Sequence, residues 1–384
     1  MKKILIFIIA VIFPINVFAL NIKSEYAILY NLNEDKIIYE VKPNDKVYIA
    51  SMTKIMTCIV ALENIDNLDS KITMTNDMFY RLAEENASVA GFKVGEEVSY
   101  RDLLYGLMLP SGADAAQALA IKTSGSIDNF VAKMNKKASD LKLSNTHFVN
   151  PTGLDNKNHY STVYDVAQIL KYSLKNDEFK KIFSANKYIT SNKKHTFLST
   201  RSKTNIDTSF IDGSKTGFTY DAGLCMASTS HYNNVNYLLV TAKAPYNNRT
   251  NHLIDAKNIY SYYFNNYEYR KISEIGDKIV NIELTNGNIV SISSNIDMEK
   301  YLSKKCNITK KYDGKSIITD EDKIADKLGT YIIKCDDEVL YTKDIYLNID
   351  TSIEKNNNKI IIYSMCGIIL VLVIVLIILR KRRR

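Results

Sequence analysis

The sequence predicts an α/β domain, a small all-β domain after it, and one transmembrane helix towards the C-terminus. Strand-like and helix-like apolar patterns alternate up to Phe264, whereas only short β-favouring runs follow it. Ile360 to Leu379 then forms a stretch of 20 residues without a charge. With 46% hydrophobic and 24% charged residues, the composition is that of a globular protein, which excludes disordered and collagen-like classes.

The first 19 residues have the pattern of a secretory signal peptide. Two lysines precede an apolar run from Ile4 to Val17, and Ala19 is the small residue that cleavage requires. The run is short for a membrane span, so an uncleaved anchor is the weaker alternative. We therefore expect residues 20–264 to form the first mature domain, outside the cytoplasm.

The predicted elements of this first domain begin with a hairpin. Glu25 to Tyr30 and Lys36 to Val41 favour strands, and turn-forming asparagine and aspartate residues lie between them. Ser51 starts a helical apolar pattern and is well placed at the helix start. The later segments are helices at Arg101–Leu109, Ala113–Lys122, Ser161–Leu174 and Leu253–Phe264, and strands at Cys225–Ser230 and Tyr237–Ala242. Ser161 is the expected cap of its helix.

The second domain, residues 265–350, is predicted to consist of short β-strands. Gly-Asp, Asn-Gly and Asp-Gly pairs separate runs that favour strands. The runs are Ile279–Leu284, Ile289–Ile292, Tyr331–Lys334 and Tyr346–Ile349. A polar linker follows at residues 351–359, and we expect the domain to act as a spacer above the membrane.

Residues 360–379 are predicted to cross the membrane once as a helix, since about 20 residues at roughly 1.5 Å each span a hydrocarbon core of roughly 30 Å. The basic residues 380–384 are predicted to stay in the cytoplasm, which puts the body on the extracytoplasmic side. The formal net charge is +8, and the two lysines after Met1 and the five basic residues at 380–384 supply seven of it. The body is nearly neutral, so the charge does not predict nucleic-acid binding.

The cysteines do not predict a metal centre. Cys366 lies in the predicted span, and Cys58 and Cys225 lie in apolar contexts that are typical of buried thiols. Cys306 and Cys335 fall in the same domain and are able to pair, but sequence leaves that pairing open. Because no cysteine or histidine spacing is typical of a metal site, we expect neither a metal nor a cofactor.

Three short motifs carry the chemistry that the sequence predicts, namely Ser51-Met52-Thr53-Lys54, Ser111-Gly112-Ala113 and Lys215-Thr216-Gly217. Ser-x-x-Lys also occurs at four other serines. Only Ser51 starts a predicted helix, which puts Lys54 on the same face one turn later. The start of a helix also offers free N–H groups and partial positive charge to a developing anion.

A serine hydroxyl is an effective nucleophile at neutral pH only beside a base, and lysine is a base only when neutral. Burial or a second cation lowers the pKa of a lysine, and Lys215 is the candidate for that cation. Ser111 follows a helix break and is expected to relay a proton. Gly217 is expected on an edge strand, where it lets a substrate backbone approach. Each motif alone is equally typical of a helix cap or a solvated charge, and only the ordered trio in a secreted chain favours catalysis.

In this order the motifs resemble those of the serine penicillin-recognising enzymes, most closely the low-molecular-weight penicillin-binding proteins that are D-alanyl-D-alanine carboxypeptidases. The similarity includes residues 49–57, 150–154, 159–162 with Asp165, and 212–219 before Ala222-Gly223. It implies a β-lactamase/transpeptidase-like α/β fold, with an antiparallel sheet and helices on both faces. It also implies release of the terminal D-alanine from peptidoglycan pentapeptide, and β-lactams as covalent inhibitors.

For catalysis, the resemblance implies that Ser51 is acylated, that Lys54 is the general base and that Ser111 relays the proton. Ala113 departs from the family, which usually has asparagine there, so a charge-assisted contact worth roughly 1.5–3 kcal/mol is missing. Asp114 follows it but only accepts hydrogen bonds when ionised. Activity is therefore expected to be reduced, retuned to another peptide or rescued by a water.

The resemblance also implies a set of substrate-binding residues, which are Lys215, Thr216, Gly217, Phe218, Thr219 and Arg249. In this set, Lys215 and Thr216 hold the terminal carboxylate of the substrate, and Thr219 and Arg249 are weaker candidates for the same contact. The N–H groups of Ser51 and Phe218 form an oxyanion hole.

Three competing functions share these residues. A class A β-lactamase requires a deacylating glutamate between the second and third motifs, and Glu178, the single glutamate there, does not match that pattern. A peptidoglycan-binding protein without activity is suggested by Ala113, but the retained Ser51 and both lysines argue against it. A D-alanyl endopeptidase acting in the same site stays open, because the specificity loops are not readable from sequence.

Overall fold

The computed structural model describes residues 20–319, 321–347 and 359–362. The predicted signal peptide, the basic tail and most of the linker and membrane span lie outside these residues. Among the residues that are described, no helix is long and apolar enough to cross a membrane. The chain divides into two compact units, Met1–Tyr263 and Phe264–Arg384.

The first unit is an α/β domain. In chain order its elements are β1 (Tyr26–Asn31), β2 (Lys36–Val41), α1 (Thr53–Leu62), β3 (Lys71–Thr73), β4 (Glu97–Ser99), α2 (Tyr100–Met108), α3 (Ala113–Ser124), α4 (Ile127–Asp140), α5 (Val163–Ser173), α6 (Asp177–Ser184), β5 (Lys187–Ile189), β6 (Thr196–Leu198), β7 (Gly213–Thr219), β8 (Gly223–Tyr232), β9 (Val235–Ala244) and α7 (Asn251–Asn266). The main sheet has the order β2-β1-β9-β8-β7, and each neighbouring pair is antiparallel.

Helices cover both faces of this sheet. Leu238 and Val240 of β9 point into the main core, which they share with α1 and α5. Tyr237 lies on the opposite face, since side chains alternate along a strand, and its ring packs edge-on against Tyr260 of α7 at a centroid distance of 6.3 Å. The hydroxyl groups of Tyr260 and Ser228 are 3.1 Å apart. The expected α/β fold, an antiparallel sheet between helices, is confirmed.

Two predicted helix starts are wrong by one or two residues. Ser51 lies in a single 3-10 turn, Ala50–Met52, and α1 begins at Thr53. Thr162, and not Ser161, caps α5, because its hydroxyl accepts the N–H of Asp165 at 2.9 Å. The backbone of Ser161 is paired with a neighbouring strand-like segment and so is extended rather than helical.

In the second unit, strands follow the end of α7. They are β10 (Tyr267–Ser273), β11 (Lys278–Leu284), β12 (Ile289–Ser293), β13 (Met298–Ser303), β14 (Ile308–Gly314), β15 (Ile317–Ile318), β16 (Lys327–Cys335), β17 (Glu338–Tyr346) and β18 (Lys359–Ile362). Ile282 and Ile333 are buried in its separate core. The small all-β domain is confirmed. Cys306 and Cys335 form a disulfide here, whereas Cys58 and Cys225 of the first unit are buried free thiols.

Two segments near the C-terminus differ from their predictions. The predicted strand Tyr346–Ile349 overlaps the structure only at Tyr346, where β17 ends, because Leu347 is not in a strand and residues 348–349 lie outside the described part. Charged residues interrupt β17, so an apolar run did not reveal it. Lys359–Ile362 forms a strand parallel to β12, which puts extended backbone where the predicted span begins. Three successive isoleucines, which are β-branched, favour that strand. Residues 363–379 of the predicted span lie outside the described part.

Candidate active site

The turn that carries Ser51 is fixed by a close approach of two backbones. Ala50 has a φ of +46°, in the left-handed region. Gly153, with a φ of +81°, lies against it, and a Cβ on Gly153 would be 2.0 Å from the carbonyl oxygen of Ala50. Only glycine fits there, so the segment around Gly153 sets the position of Ser51 at the entry to α1.

His159 contacts the residue that follows this turn. Its Nδ1 accepts the N–H of Val149 at 3.3 Å, which leaves the proton on Nε2. Nε2 lies 2.8 Å from the hydroxyl oxygen of Thr53, the first residue of α1. Burial lowers the pKa of His159 to about 4, so the ring is neutral at neutral pH and acts as a fixed donor to Thr53.

Lys54 lies beneath Ser51 and is 2% exposed. Its Nζ is 3.0 Å from Ser51 Oγ and donates to the carbonyl oxygen of Thr152 at 2.6 Å. Burial lowers the pKa of Lys54 to about 7, although the charge of Asp114 opposes the shift. A large fraction of Lys54 is therefore a neutral amine at neutral pH, within reach of the serine proton.

A second serine–lysine pair lies beside the first. Ser111 follows the end of α2 with a φ of +66°, and its hydroxyl accepts from Lys215 Nζ at 2.9 Å. Lys215 also donates to the carbonyl oxygen of Thr216 at 2.7 Å. Burial, and then the charge of Lys54, hold the pKa of Lys215 well below its usual range. Burial is thus the leading cause for both lysines, rather than a second cation acting on Lys54.

The third motif lies on β7, an edge strand of the main sheet, as expected. A Cβ on Gly217 would be 2.9 Å from the backbone nitrogen of Ser51, so glycine lets the strand lie directly beside the turn. The hydroxyl of Thr216 is 2.7 Å from that of Thr200, which sequence did not single out. Phe218, next along the strand, completes the wall beside Ser51.

A cavity of about 430 Å³ opens above Ser51. It is lined by Ser51, Lys54, Glu85, Asn86, Ala87, Ser88, Ala113, Thr152, Gly153, Leu154, Asp155, Phe218, Thr219 and Tyr220. The other candidates from the sequence are not among its lining residues, namely Ser111, Lys215, Thr216, Gly217 and Arg249. The cavity therefore brings Ser51 and Lys54 of the first motif together with Ala113 of the second and with the two residues that follow the third, Phe218 and Thr219.

Thr219 and Arg249, the two weaker candidates for the carboxylate contact, interact with other protein side chains. Thr219 donates its hydroxyl proton to Asp155 at 2.8 Å, so that proton is not available to a substrate carboxylate. Burial and the charge of Asp221 raise the pKa of Asp155. The guanidinium of Arg249 stacks 5.4 Å from the centroid of the Tyr246 ring, which in turn stacks on Phe218 at 4.1 Å. Arg249 therefore contacts Tyr246, and Tyr246 in turn contacts Phe218 at the cavity wall.

Asp114 organises the loop that forms one side of the cavity. Its carboxylate accepts the N–H groups of Ala90 at 2.7 Å and Gly91 at 3.0 Å. The N–H of Ala113 donates to the carbonyl oxygen of Ser88 at 2.7 Å. Ala113, where the family usually has asparagine, therefore contacts this loop through its backbone. The side chain of Asp114 holds the loop in place.

Sequence reasoning assigned no role to several residues that shape the site. Thr152 and His159 lie in stretches quoted for the family resemblance, which was the available signal, whereas Thr200 and Asp155 had none. Glu178, considered as a deacylating residue, pairs instead with Arg101 at 3.1 Å and is not among the cavity lining. Within the described ranges, one group of side chains has the proximity needed for a metal, but its two sulfurs belong to the disulfide.

Comparisons with known proteins point to one family. A family model described as D-alanyl-D-alanine carboxypeptidase matches residues 14–245. The chain is 31% identical over 336 residues to the D-alanyl-D-alanine carboxypeptidase DacF of Bacillus subtilis, covering 83% of both chains. It is 31% identical over 227 residues to a D-alanyl-D-alanine endopeptidase of Escherichia coli, covering 58% of this chain and 72% of that one.

Solved structures of penicillin-recognising enzymes have a similar fold. Penicillin binding protein 5 from Haemophilus influenzae superposes with a TM-score of 0.63 and 25% identity, covering 85% of this chain and 97% of its own. The Streptomyces K15 DD-transpeptidase superposes with a TM-score of 0.58 and 30% identity, covering 63% of this chain and 97% of its own.

Proposed function

The chain belongs to the D-alanyl-D-alanine carboxypeptidase family, and from that premise we propose that Ser51 is the residue its substrate acylates. The protein is a serine-type D-Ala-D-Ala carboxypeptidase of the penicillin-recognising group. The observation that carries the assignment is the 3.0 Å contact between Ser51 Oγ and a lysine amine whose pKa burial lowers to about 7.

In the proposed acylation, neutral Lys54 takes the hydroxyl proton as Ser51 Oγ attacks the carbonyl carbon of the penultimate D-alanine. The N–H groups of Ser51 and Phe218 stabilise the oxyanion. The bond to the terminal D-alanine then breaks, and its amine receives the proton of Lys54 through Ser111, which leaves Lys54 neutral again. Water attacks the resulting ester with Lys54 again as the base, which releases the shortened peptide and regenerates the serine.

The terminal carboxylate of the substrate is assigned to Lys215 and Thr216, with Thr200 beside them. Lys215 is buried, which holds its pKa below the usual range, and an arriving carboxylate raises that pKa and stabilises the charged amine. We leave Thr219 out of this contact because its proton is committed to Asp155, and Arg249 stays a weaker candidate.

The acyl-enzyme assignment is tested with penicillin and the purified full-length protein. We expect one covalent adduct, located on the peptide that contains Ser51, and release of D-alanine from a peptidoglycan pentapeptide. Folded protein, verified by a cooperative thermal transition, that forms no adduct would overturn the assignment. Cleavage of cross-linked D-alanyl dimers faster than pentapeptide would instead favour the endopeptidase alternative.

For location, we propose a single-pass membrane protein with the catalytic unit on the extracytoplasmic side. The uncharged stretch before five basic residues supports the anchor, and the signal-like start supports export. If β18 persists in the membrane-bound protein, residues 363–379 still have roughly the minimal length of a span. Protease added to spheroplasts should remove the catalytic unit; protection of that unit would contradict the proposed topology.

A further inference from the structure

A second cavity, of about 460 Å³, belongs to the same unit and has no part in the proposed reaction. We call it the lysine–tyrosine cavity, and its lining residues are Tyr26, Lys46, Val47, Tyr48, Lys157, Tyr160, Asp221, Ala222 and Lys243. Tyr48 lies three residues before Ser51. Asp221 directly follows Tyr220, which lines the catalytic cavity. The two cavities are therefore neighbours across one short stretch of chain.

The lysine–tyrosine cavity carries a net positive charge. Its lining has three lysines and one carboxylate. Lys46 lies 4.4 Å from the centroid of the Tyr160 ring, a contact that orients its charge without neutralising it. Lys243 has a loose, half-exposed ion pair with Glu25 at 3.4 Å. Within the described part of the chain, Lys157 makes no hydrogen bond or ion pair, so an anion can approach it directly.

Three tyrosines form walls of this cavity that offer both apolar and hydrogen-bonding surface to a peptide ligand. Tyr26, Tyr48 and Tyr160 are each partly buried, which fixes their rings while leaving a ring surface to the cavity. Such rings combine apolar area with a hydroxyl that hydrogen bonds. The volume is in the range of cavities that hold a ligand of a few residues. Aromatic walls with lysine ammonium groups favour a carboxylate-bearing peptide or glycopeptide.

We propose that the lysine–tyrosine cavity is a secondary binding site for carboxylate groups of the polymeric substrate, on a stem peptide next to the one bound at Ser51. The inference rests on the proposed function, because it requires the substrate to be a polymer that carries repeated acidic peptides. A second weak contact on the same polymer raises the local concentration of the reacting peptide at Ser51. The protein would then prefer a polymer to a short peptide with the same reacting end.

The test compares two substrates and three proteins. The substrates are a free pentapeptide that ends in D-Ala-D-Ala and uncross-linked peptidoglycan strands with the same ending. The proteins are the full-length wild type, the double variant Lys46→Gln/Lys157→Gln, and a matched control, Lys122→Gln/Lys187→Gln. Lys122 and Lys187 are exposed lysines of the same unit that do not line either cavity.

We expect the Lys46→Gln/Lys157→Gln protein to lose about 10-fold in kcat/KM on the strands, mainly in KM, and the control protein to match the wild type. Pentapeptide turnover and penicillin acylation should be equal in all three. The preference of the wild type for strands should fall as salt rises. Equal turnover of strands by all three proteins would overturn the proposal, and so would an equal loss on both substrates.

A competition experiment identifies the anion. A short peptide with several carboxylates should inhibit turnover of strands by the wild type but not of pentapeptide. Inhibition by inorganic polyphosphate alone would overturn the carboxylate assignment in favour of a phosphate polymer. Absence of both pentapeptide turnover and penicillin acylation would refute the proposed function instead, which keeps the two failures distinct.

Discussion

Two serine–lysine pairs lie next to each other in the catalytic unit, and by distance alone they are almost the same. Ser51 and Lys54 are 3.0 Å apart, and Ser111 and Lys215 are 2.9 Å apart. Both lysines are buried, and burial is the first cause of the lowered pKa in each. A short contact to a buried lysine is therefore not what selects the nucleophile.

The pairs differ in what surrounds them. Ser51 and Lys54 line the open cavity, whereas Ser111 and Lys215 are not among its lining residues. The backbone nitrogen of Ser51 also lies against Gly217, where a substrate carbonyl can meet N–H groups. We infer that access to the cavity and oxyanion stabilisation select Ser51 and Lys54 as the proposed nucleophile and base, and that the other pair serves proton transfer and carboxylate binding.

The largest effect should come from removing each serine in turn. Ser51→Ala should lower kcat/KM by roughly 10⁴-fold or more and abolish the penicillin adduct, because no other group there forms the ester. Ser111→Ala should still form the adduct, at a rate lower by about 10²-fold, since only a proton relay is lost. Intact mass and stopped-time acylation measure both. If Ser111→Ala were the variant without an adduct, the assignment of the two pairs would be reversed.

The next effect tests whether Lys54 acts as a neutral base. Lys54→Arg keeps a cation in place but cannot deprotonate, so acylation should slow by roughly 10²–10⁴-fold. In the wild type, Lys54 must lose its proton, so the acylation rate should rise with pH up to about 7 and then level off. A rate that is flat from pH 5 to 8 would remove Lys54 from the role of base. Lys122→Arg, at an exposed helical site, is the control.

A smaller, substrate-dependent effect is expected at Lys215. Lys215→Gln removes a cation that the proposal assigns to the terminal carboxylate, an interaction worth roughly 1.5–3 kcal/mol. The loss in kcat/KM should be about 10–100-fold for a peptide acid and much smaller for the matching C-terminal amide. Thermal melting separates misfolding from lost recognition. The same loss on acid and amide would mean that Lys215 does not read the carboxylate.

The smallest effect concerns the family departure at Ala113. Ala113→Asn restores an amide in the cavity that Ser88 and Lys54 also line. It should raise kcat/KM on pentapeptide by about 10-fold, within the energy of one added hydrogen bond. Ala113→Leu, which adds volume without a polar group, is the matched control and should not improve turnover. A decrease with asparagine would indicate that the loop held by Asp114 already provides the contact.

How far the sequence predicts this site depends on how local each contact is. Ser51 and Lys54 are three residues apart at a helix entry, so their contact follows from helical spacing, and the edge position of β7 follows from its turn. The carbonyl of Thr152 is 98 residues from Lys54 and carries no side-chain signature. The pairing of Thr219 with Asp155 likewise spans 64 residues. A contact between distant residues is readable from the sequence only where motifs mark both partners, as they do for Ser111 and Lys215, which are 104 residues apart.

The secondary-structure elements also divide into those that the sequence predicts and those that it does not. Strands and helices with a clear apolar period, such as β8, β9 and α1, are predicted within a few residues of their observed ends. Helices α4 and α6 were not predicted, because polar and charged residues together outnumber apolar ones along them and their apolar stripe is narrow. Charged residues also interrupt strand β17. In each case a few buried side chains, such as Phe130 and Phe179, hold a largely polar segment in place.

The buried thiol of Cys58 has a practical consequence for measuring motion near the catalytic helix. Cys58 lies on α1 one turn beyond Lys54, and burial raises its pKa, so an alkylating reagent reacts only when α1 separates from the core. The rate of alkylation therefore counts local opening events. Following it before and after penicillin occupies Ser51 would report, without any introduced probe, how an inhibitor changes the lifetime of the closed catalytic helix.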